Sequence, residues 1–238
     1  MLVVDYSALA ILLLGAFLSY KYKKLTLSAA LVGGVTGALI FAASGYCGIM
    51  MMAAFFITGT AATAWKAREK QQLRGAEGDK KPRKASQVIA NAGVAGLLGA
   101  VALVIPQYNI ILQLLIASTF CTATADTWSS ELGTIYGKRF INILTLKPDK
   151  PGLDGVISLE GTFIGVIGSL LIALIYSISK GDYSALGWLV LCGTLGNLVD
   201  SVLGAALERK SYLKNDAVNF LNTLAAALCM LLIIWLRS

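Results

Sequence analysis

The chain has 238 residues, 57% of them hydrophobic and only 14% charged, with a formal net charge of +7. Several runs of about 20 residues carry few or no charges, which excludes a soluble domain of this length and indicates a polytopic membrane protein. The absence of histidine removes His-based triads and His metal ligands, and four cysteines without C-x-x-C spacing indicate neither a zinc site nor a disulfide framework.

Leu2 to Tyr20 is the first apolar run. Asp5 stands near its start and Lys21, Lys23 and Lys24 follow its end, the reverse of a cleaved signal peptide, so it reads as a retained helix with its N-terminus outside. Leu25 to Ala43 is the second span, with Gly33 and Gly37 as a small-residue packing face. A third runs from the uncharged turn around Ser44 to Gly48 as far as Trp65, whose ring suits the membrane interface. Residues 1–65 thus supply three N-terminal helices. Residues 66–85 form a solvated, basic cytoplasmic loop broken by Gly75, Gly78 and Pro82.

Residues 86–238 form a five-helix core that carries the site. Its spans are Ser86 to Ile105, Asn109 to Tyr136, Gly161 to Ser179, Ala185 to Leu207 and Asn215 to Trp235. Lys138 to Ser158 is a basic loop whose K-P-D-K-P-G-L-D-G run holds two prolines and two glycines, which forbid regular structure. The expected fold is all-α, a polytopic transmembrane helical bundle of about eight spans. Only Lys180 and Arg237 fall on the face opposite the other cations. The positive-inside rule therefore places both termini outside and the basic loops in the cytoplasm, in a prokaryotic plasma membrane with the site facing the cytoplasm.

The segment A-D-T-W-S-S-E-L-G, Ala125 to Gly133, sets two carboxylates in an apolar span, and G-T-L-G-N-L-V-D-S-V-L-G-A carries Asp200 into another. An Asp near a helix centre costs roughly 2.5 to 3.5 kcal/mol on insertion scales, so each is by default part of a site with a partner. At about 100° per residue, Asp126, Thr127, Ser130, Glu131 and Thr134 share one wedge while Trp128 points away. Thr194, Asn197, Asp200, Ser201, Gly204 and Glu208 share another. With Asn91 early in the fourth span and Asn219 and Asn222 early in the eighth, the polar groups gather in the cytoplasmic third. A buried Asp without a histidine or an obvious Lys or Arg partner calls for a metal ion, a proton or a substrate cation, and hard oxygen ligands suit Mg²⁺. The loop from Lys147 to Gly155 is singled out for phosphate contact. G-T-I-Y-G-K-R, Gly133 to Arg139, is one residue short of a P-loop and has no preceding strand.

Together, Q-V-I-A-N-A-G-V-A from Gln87, A-D-T-W-S-S-E-L-G, G-L-D-G-V-I-S-L-E-G-T from Gly152 and G-N-L-V-D-S-V-L-G-A from Gly196 resemble the phytyl-phosphate kinase family of the vitamin E salvage pathway, an integral-membrane family. The resemblance runs from about Gln87 to the C-terminus. It implies phosphoryl transfer from a nucleotide, CTP being favoured, to an isoprenyl monophosphate, and it carries Asn91, Asp126, Thr127, Glu131, Asp200, Ser201 and Asn219 into the site. On this basis Asp126, Glu131 and Asp200 are assigned to Mg²⁺. Lys147 and Lys150, with Asp154 in the same loop, are assigned to phosphates and nucleotide. Asn91, Asn219 and Asn222 orient oxygens, and Thr127, Ser130, Asn197 and Ser201 complete the binding surface. The lipid tail would lie between helices at the cytoplasmic leaflet. An isoprenoid-alcohol kinase and a proton- or ion-coupled transporter remain the alternatives. Expected partners are the nucleoside triphosphate, the lipid and the bilayer, with a homodimer left open and no nucleic acid.

Overall fold

The computed structural model describes residues 5–74 and 81–237. Nine α-helices are present among them: α1 Tyr6–Lys21, α2 Leu27–Ser44, α3 Tyr46–Ala64, α4 Ala67–Arg74, α5 Ala85–Val104, α6 Asn109–Tyr136, α7 Leu159–Lys180, α8 Leu186–Leu203 and α9 Asn215–Arg237. Among the described residues seven helices are long and apolar enough to cross a membrane. The exception among the apolar helices, α1, has 16 residues. At 1.5 Å per residue it covers about 24 Å, less than the roughly 30 Å hydrocarbon core. It starts where Asp5 accepts hydrogen bonds from the amides of Ser7 and Ala8 at 3.0 and 3.1 Å, and the start expected at Leu2 lies outside the described residues.

The 28-residue α6 is the axis of the bundle and packs against α3, α5, α7, α8 and α9. Two thirds of its span is buried (67%), against 33–44% for the others. An axial helix has no lipid face, so it tolerates hydroxyls provided they are satisfied. Ser118, Thr119 and Thr124 donate back to the carbonyls of Leu115, Ile116 and Phe120 at 2.7–2.8 Å. Helix α7 reaches α6 through glycine: a Cβ on Gly133 would lie 2.7 Å from the Cα of Gly161. That contact lets two backbones touch, as small residues do between membrane helices.

One expectation for the basic segments is corrected. Residues 66–85 do not form only a solvated loop, because α4 folds within them and buries Lys70 to 3% exposure. In the α6–α7 connection the K-P-D-K-P-G-L-D-G run, residues 147–155, carries no strand, and a short strand stands on either side of it. Ile141–Asn142 (β1) pairs antiparallel with Val156–Ile157 (β2), in register Ile141 to Ile157. Asn142 accepts from the amides of Leu144 and Thr145, which closes the turn ahead of Pro148 and Pro151.

Candidate active site

A cavity of about 560 Å³ opens at the end of the bundle where the basic segments gather. Its walls are the last turns of α6, the ends of α8, the starts of α5 and α9, and the strand-bearing loop from Gly152 to Ser158. Among the described residues, six carboxylates line it, Asp126, Glu131, Asp154, Asp200, Glu208 and Asp216, with two cations, Lys81 and Arg83.

Asp126 on α6 and Asp200 on α8 both stand on the cavity wall, close enough for each charge to act on the other. Asn222 of α9, 1% exposed, donates from Nδ2 to Asp200 Oδ1 at 2.7 Å. That bond orients the carboxylate and makes Asn222 a positioning residue behind the wall, not part of the lining. Asn197 lines the cavity but is 4% exposed and lies against α7, where a Cβ on Gly165 would come within 2.8 Å of its Nδ2. Ser201 is turned back on the carbonyl of Asn197 at 3.2 Å. Asn91 likewise donates to Gln87 O at 2.9 Å, and Ser130 to Thr127 O at 3.3 Å. Asn219 donates weakly to Asn215 at 3.5 Å, while its buried Oδ1 has no partner among the described residues. Asn91, Thr127, Ser130, Asp154, Asn197, Ser201 and Asn219 all stand on the cavity wall. Trp128 is directed elsewhere and donates to Thr58 at 3.2 Å.

Three assignments change. Glu131 forms an ion pair with Lys70, whose Nζ also donates to the carbonyls of Ala62 and Thr63 at 2.8 and 3.0 Å. A carboxylate neutralised in this way is a poor metal ligand, which counts against Glu131 in the expected set of Asp126, Glu131 and Asp200. Lys147 and Lys150 are exposed and absent from the wall, because the hairpin turns its backbone and Asp154 inward and its lysines outward. The cations on the wall are Lys81 and Arg83. Burial lowers the pKa of Arg83, and the charge of Glu131 opposes that shift.

Glu208, Asp216, Lys81 and Arg83 were not among the predicted site residues. The signal for Glu208 was present in the spacing Gly196, Asp200, Gly204, Glu208, but α8 ends in a π-helical turn from Gly204 to Glu208. Such turns shift register and recur at functional sites. The turn is also where the loop docks. A Cβ on Gly155, at φ +71°, would fall 2.5 Å from Ala205 N, so only glycine lets the loop lie against α8.

The family model for integral membrane protein DUF92 matches residues 10–227, so the N-terminal helices fall inside the matched region, which extends well before Gln87. A membrane protein of Synechocystis sp. is 32% identical over 196 residues, 81% of this chain and 76% of that protein. One of Methanocaldococcus jannaschii is 35% identical over 195 residues, 79% of this chain and 78% of its own. Protein VTE6, chloroplastic, of Arabidopsis thaliana is 32% identical over 197 residues, 78% of this chain but 58% of that protein. No solved structure matches the chain.

Proposed function

The chain belongs to the integral membrane family DUF92, and from that premise we propose that it is a membrane kinase transferring a phosphoryl group from a nucleoside triphosphate, CTP in preference, to an isoprenyl monophosphate. The observation that carries the proposal is the charge of the cavity: among the described residues, five carboxylates besides the Lys70-paired Glu131 stand on its wall against two cations. Polyanionic phosphates do not enter such a cavity unaccompanied, whereas phosphates carrying divalent cations neutralise it as they bind.

The donor set fits Mg²⁺. Its groups are hard oxygens, the buried Oδ1 of Asn219 is unpartnered among the described residues, and no group of three acids there forms a ready-made cage. Mg²⁺ is commonly held by one or two carboxylates together with water and substrate phosphates. Asp126 and Asp200 would hold it, and when bound it supplies charge neutralisation along the phosphate chain. Arg83 and Lys81 on the same wall bind phosphate oxygens, and Asn91 and Asn219 orient them. The loop from Gly152 to Ser158 covers the reacting groups. An oxygen of the acceptor phosphate attacks the γ-phosphorus; the new P–O bond forms as the bond to the β–γ bridging oxygen breaks, and that oxygen leaves on the nucleoside diphosphate. The acceptor oxygen is already anionic, so no residue removes a proton. The positive-inside rule assigns this end, where the basic segments gather, to the cytoplasm.

The test is to incubate detergent-purified protein with γ-labelled CTP, Mg²⁺ and isoprenyl monophosphates or alcohols. Labelled diphosphate lipid that depends on Mg²⁺ is expected from the monophosphates. In Asp126→Asn and Asp200→Asn, which keep shape and lose charge, turnover should fall roughly 10³-fold, about 4 kcal/mol. Near-normal turnover in both variants, or labelling of free alcohol alone, overturns the proposal.

A further inference from the structure

A second cavity, of about 330 Å³, adjoins the first and shares Arg83, Gln87 and Asn91 with it. Its walls come from α1, α2, α3 and the start of α5, and apart from those three residues and Ser19 they are apolar or glycine. We infer that this groove binds the isoprenoid chain of the acceptor, with the phosphate at the Arg83 end and the hydrocarbon running between α1, α2 and α3. The inference rests on the kinase reading and specifies where its lipid lies.

Arg83 is built into the junction. Its amide donates to Lys24 O at 2.9 Å and its carbonyl accepts from Thr26 N at 3.0 Å, so the α1–α2 turn fixes its position. Its guanidinium lies 6.0 Å from the ring centroid of Phe56, which is itself a wall of the groove. A fixed cation at the mouth of an apolar slot suits an amphiphile with an anionic head. The catalytic cavity on the other side of that cation would take the head.

The glycines give an independent argument. A Cβ on Gly37 would strike Leu12 at 2.6 Å, so that glycine serves packing. A Cβ on Gly15, Gly33 or Gly34 would meet nothing within 4 Å, although all three line the groove. Glycine is a poor helix former, and the adjacent pair Gly33–Gly34 lies within α2 without any packing contact that requires it. What the pair preserves is open volume. Along α1 the groove runs from Ser19 to Ile11. At 1.5 Å per residue that is about 12 Å from the basic end, within one leaflet of a roughly 30 Å core.

The decisive experiment uses the full chain in detergent with a diazirine-bearing isoprenyl monophosphate. Photolabel is expected on α2 and α3 peptides, displaced by unlabelled isoprenyl monophosphate and not by phosphatidylglycerol. In Gly34→Leu, the ratio of kcat/KM for a long-chain acceptor to that for a five-carbon acceptor should fall about tenfold or more. Label confined to α7 or α9, equal displacement by phosphatidylglycerol, or an unchanged acceptor ratio overturns the groove. Labelling needs no nucleotide, so the two proposals fail separately. Turnover with label elsewhere removes the groove and leaves the kinase; a labelled groove without turnover removes the kinase reading.

Discussion

Two basic segments flank the cavity, residues 66–84 and 138–158, and the structure uses them in opposite ways. In the first, Lys70 is buried against Glu131 and the carbonyls of Ala62 and Thr63, while Lys81 and Arg83 stand on the cavity wall. In the second, Lys147 and Lys150 face solvent, and the segment presents backbone and Asp154 to the cavity. A cation count does not separate these roles. What separates them is what each segment packs on: α4 lies against α6, beside a carboxylate that requires a partner, whereas the hairpin docks through Gly155 on the end of α8.

The largest effect that tests this contrast is expected at Lys70. Replacing it with Met removes the ion pair from the part-buried Glu131 and the donor from the carbonyls of Ala62 and Thr63, and breaking one partner of a largely desolvated pair costs about 3 kcal/mol. Thermal stability of purified Lys70→Met should drop accordingly, and Lys70→Met with Glu131→Gln should recover most of the loss. If Lys70→Met is as stable as the parent, α4 is only a tether and the two segments are equivalent.

A smaller effect compares the cations directly. On the proposed reading Arg83→Gln loses a charged hydrogen bond to the acceptor phosphate, worth about 1.5 kcal/mol, so its KM for isoprenyl monophosphate should rise about tenfold. Lys147→Ala and Lys150→Ala should leave that KM within about twofold, as exposed charges remote from a site do. A tenfold rise in Lys147→Ala with none in Arg83→Gln would reverse the comparison.

The bundle was legible because its evidence is local. Apolar runs set the spans, and the i, i+4 spacing of polar residues identified the wedges of α6 and α8 that now line the cavity. Asp126 and Asp200 could be singled out because a carboxylate is costly in an apolar span, and both stand on the cavity wall. Glu131 satisfied the same criterion, yet its partner lies 61 residues away on a helix hidden in a charged stretch. Gly33 looked like its neighbour Gly37, although one faces open volume and the other meets Leu12. Sequence spacing fixes which face a residue occupies, but not what stands opposite it.

The smallest effect concerns an ion pair on the outward-facing hairpin. Arg209, just beyond the π-helical turn of α8, donates to Asp149 Oδ2 at 2.7 Å. This bond, followed by the amide of Lys150, lowers the Asp149 pKa below 3.8. A carboxylate with a depressed folded pKa contributes its stabilisation above the unfolded value and loses it as pH falls through the folded one. In wild type the link should therefore persist at pH 7 and weaken only below pH 3.8, whereas in Arg209→Gln it is absent at every pH. Hydrogen exchange over residues 140–158, compared between the two proteins at each pH, should show faster exchange in the variant at neutral pH. The difference should vanish as Asp149 becomes protonated. The pair is partly exposed, so the difference should stay within the hairpin and leave α4 unchanged. Faster exchange spreading into residues 66–74 would mean that the two basic segments are coupled, and the contrast between an inward-tied and an outward-facing segment would no longer stand.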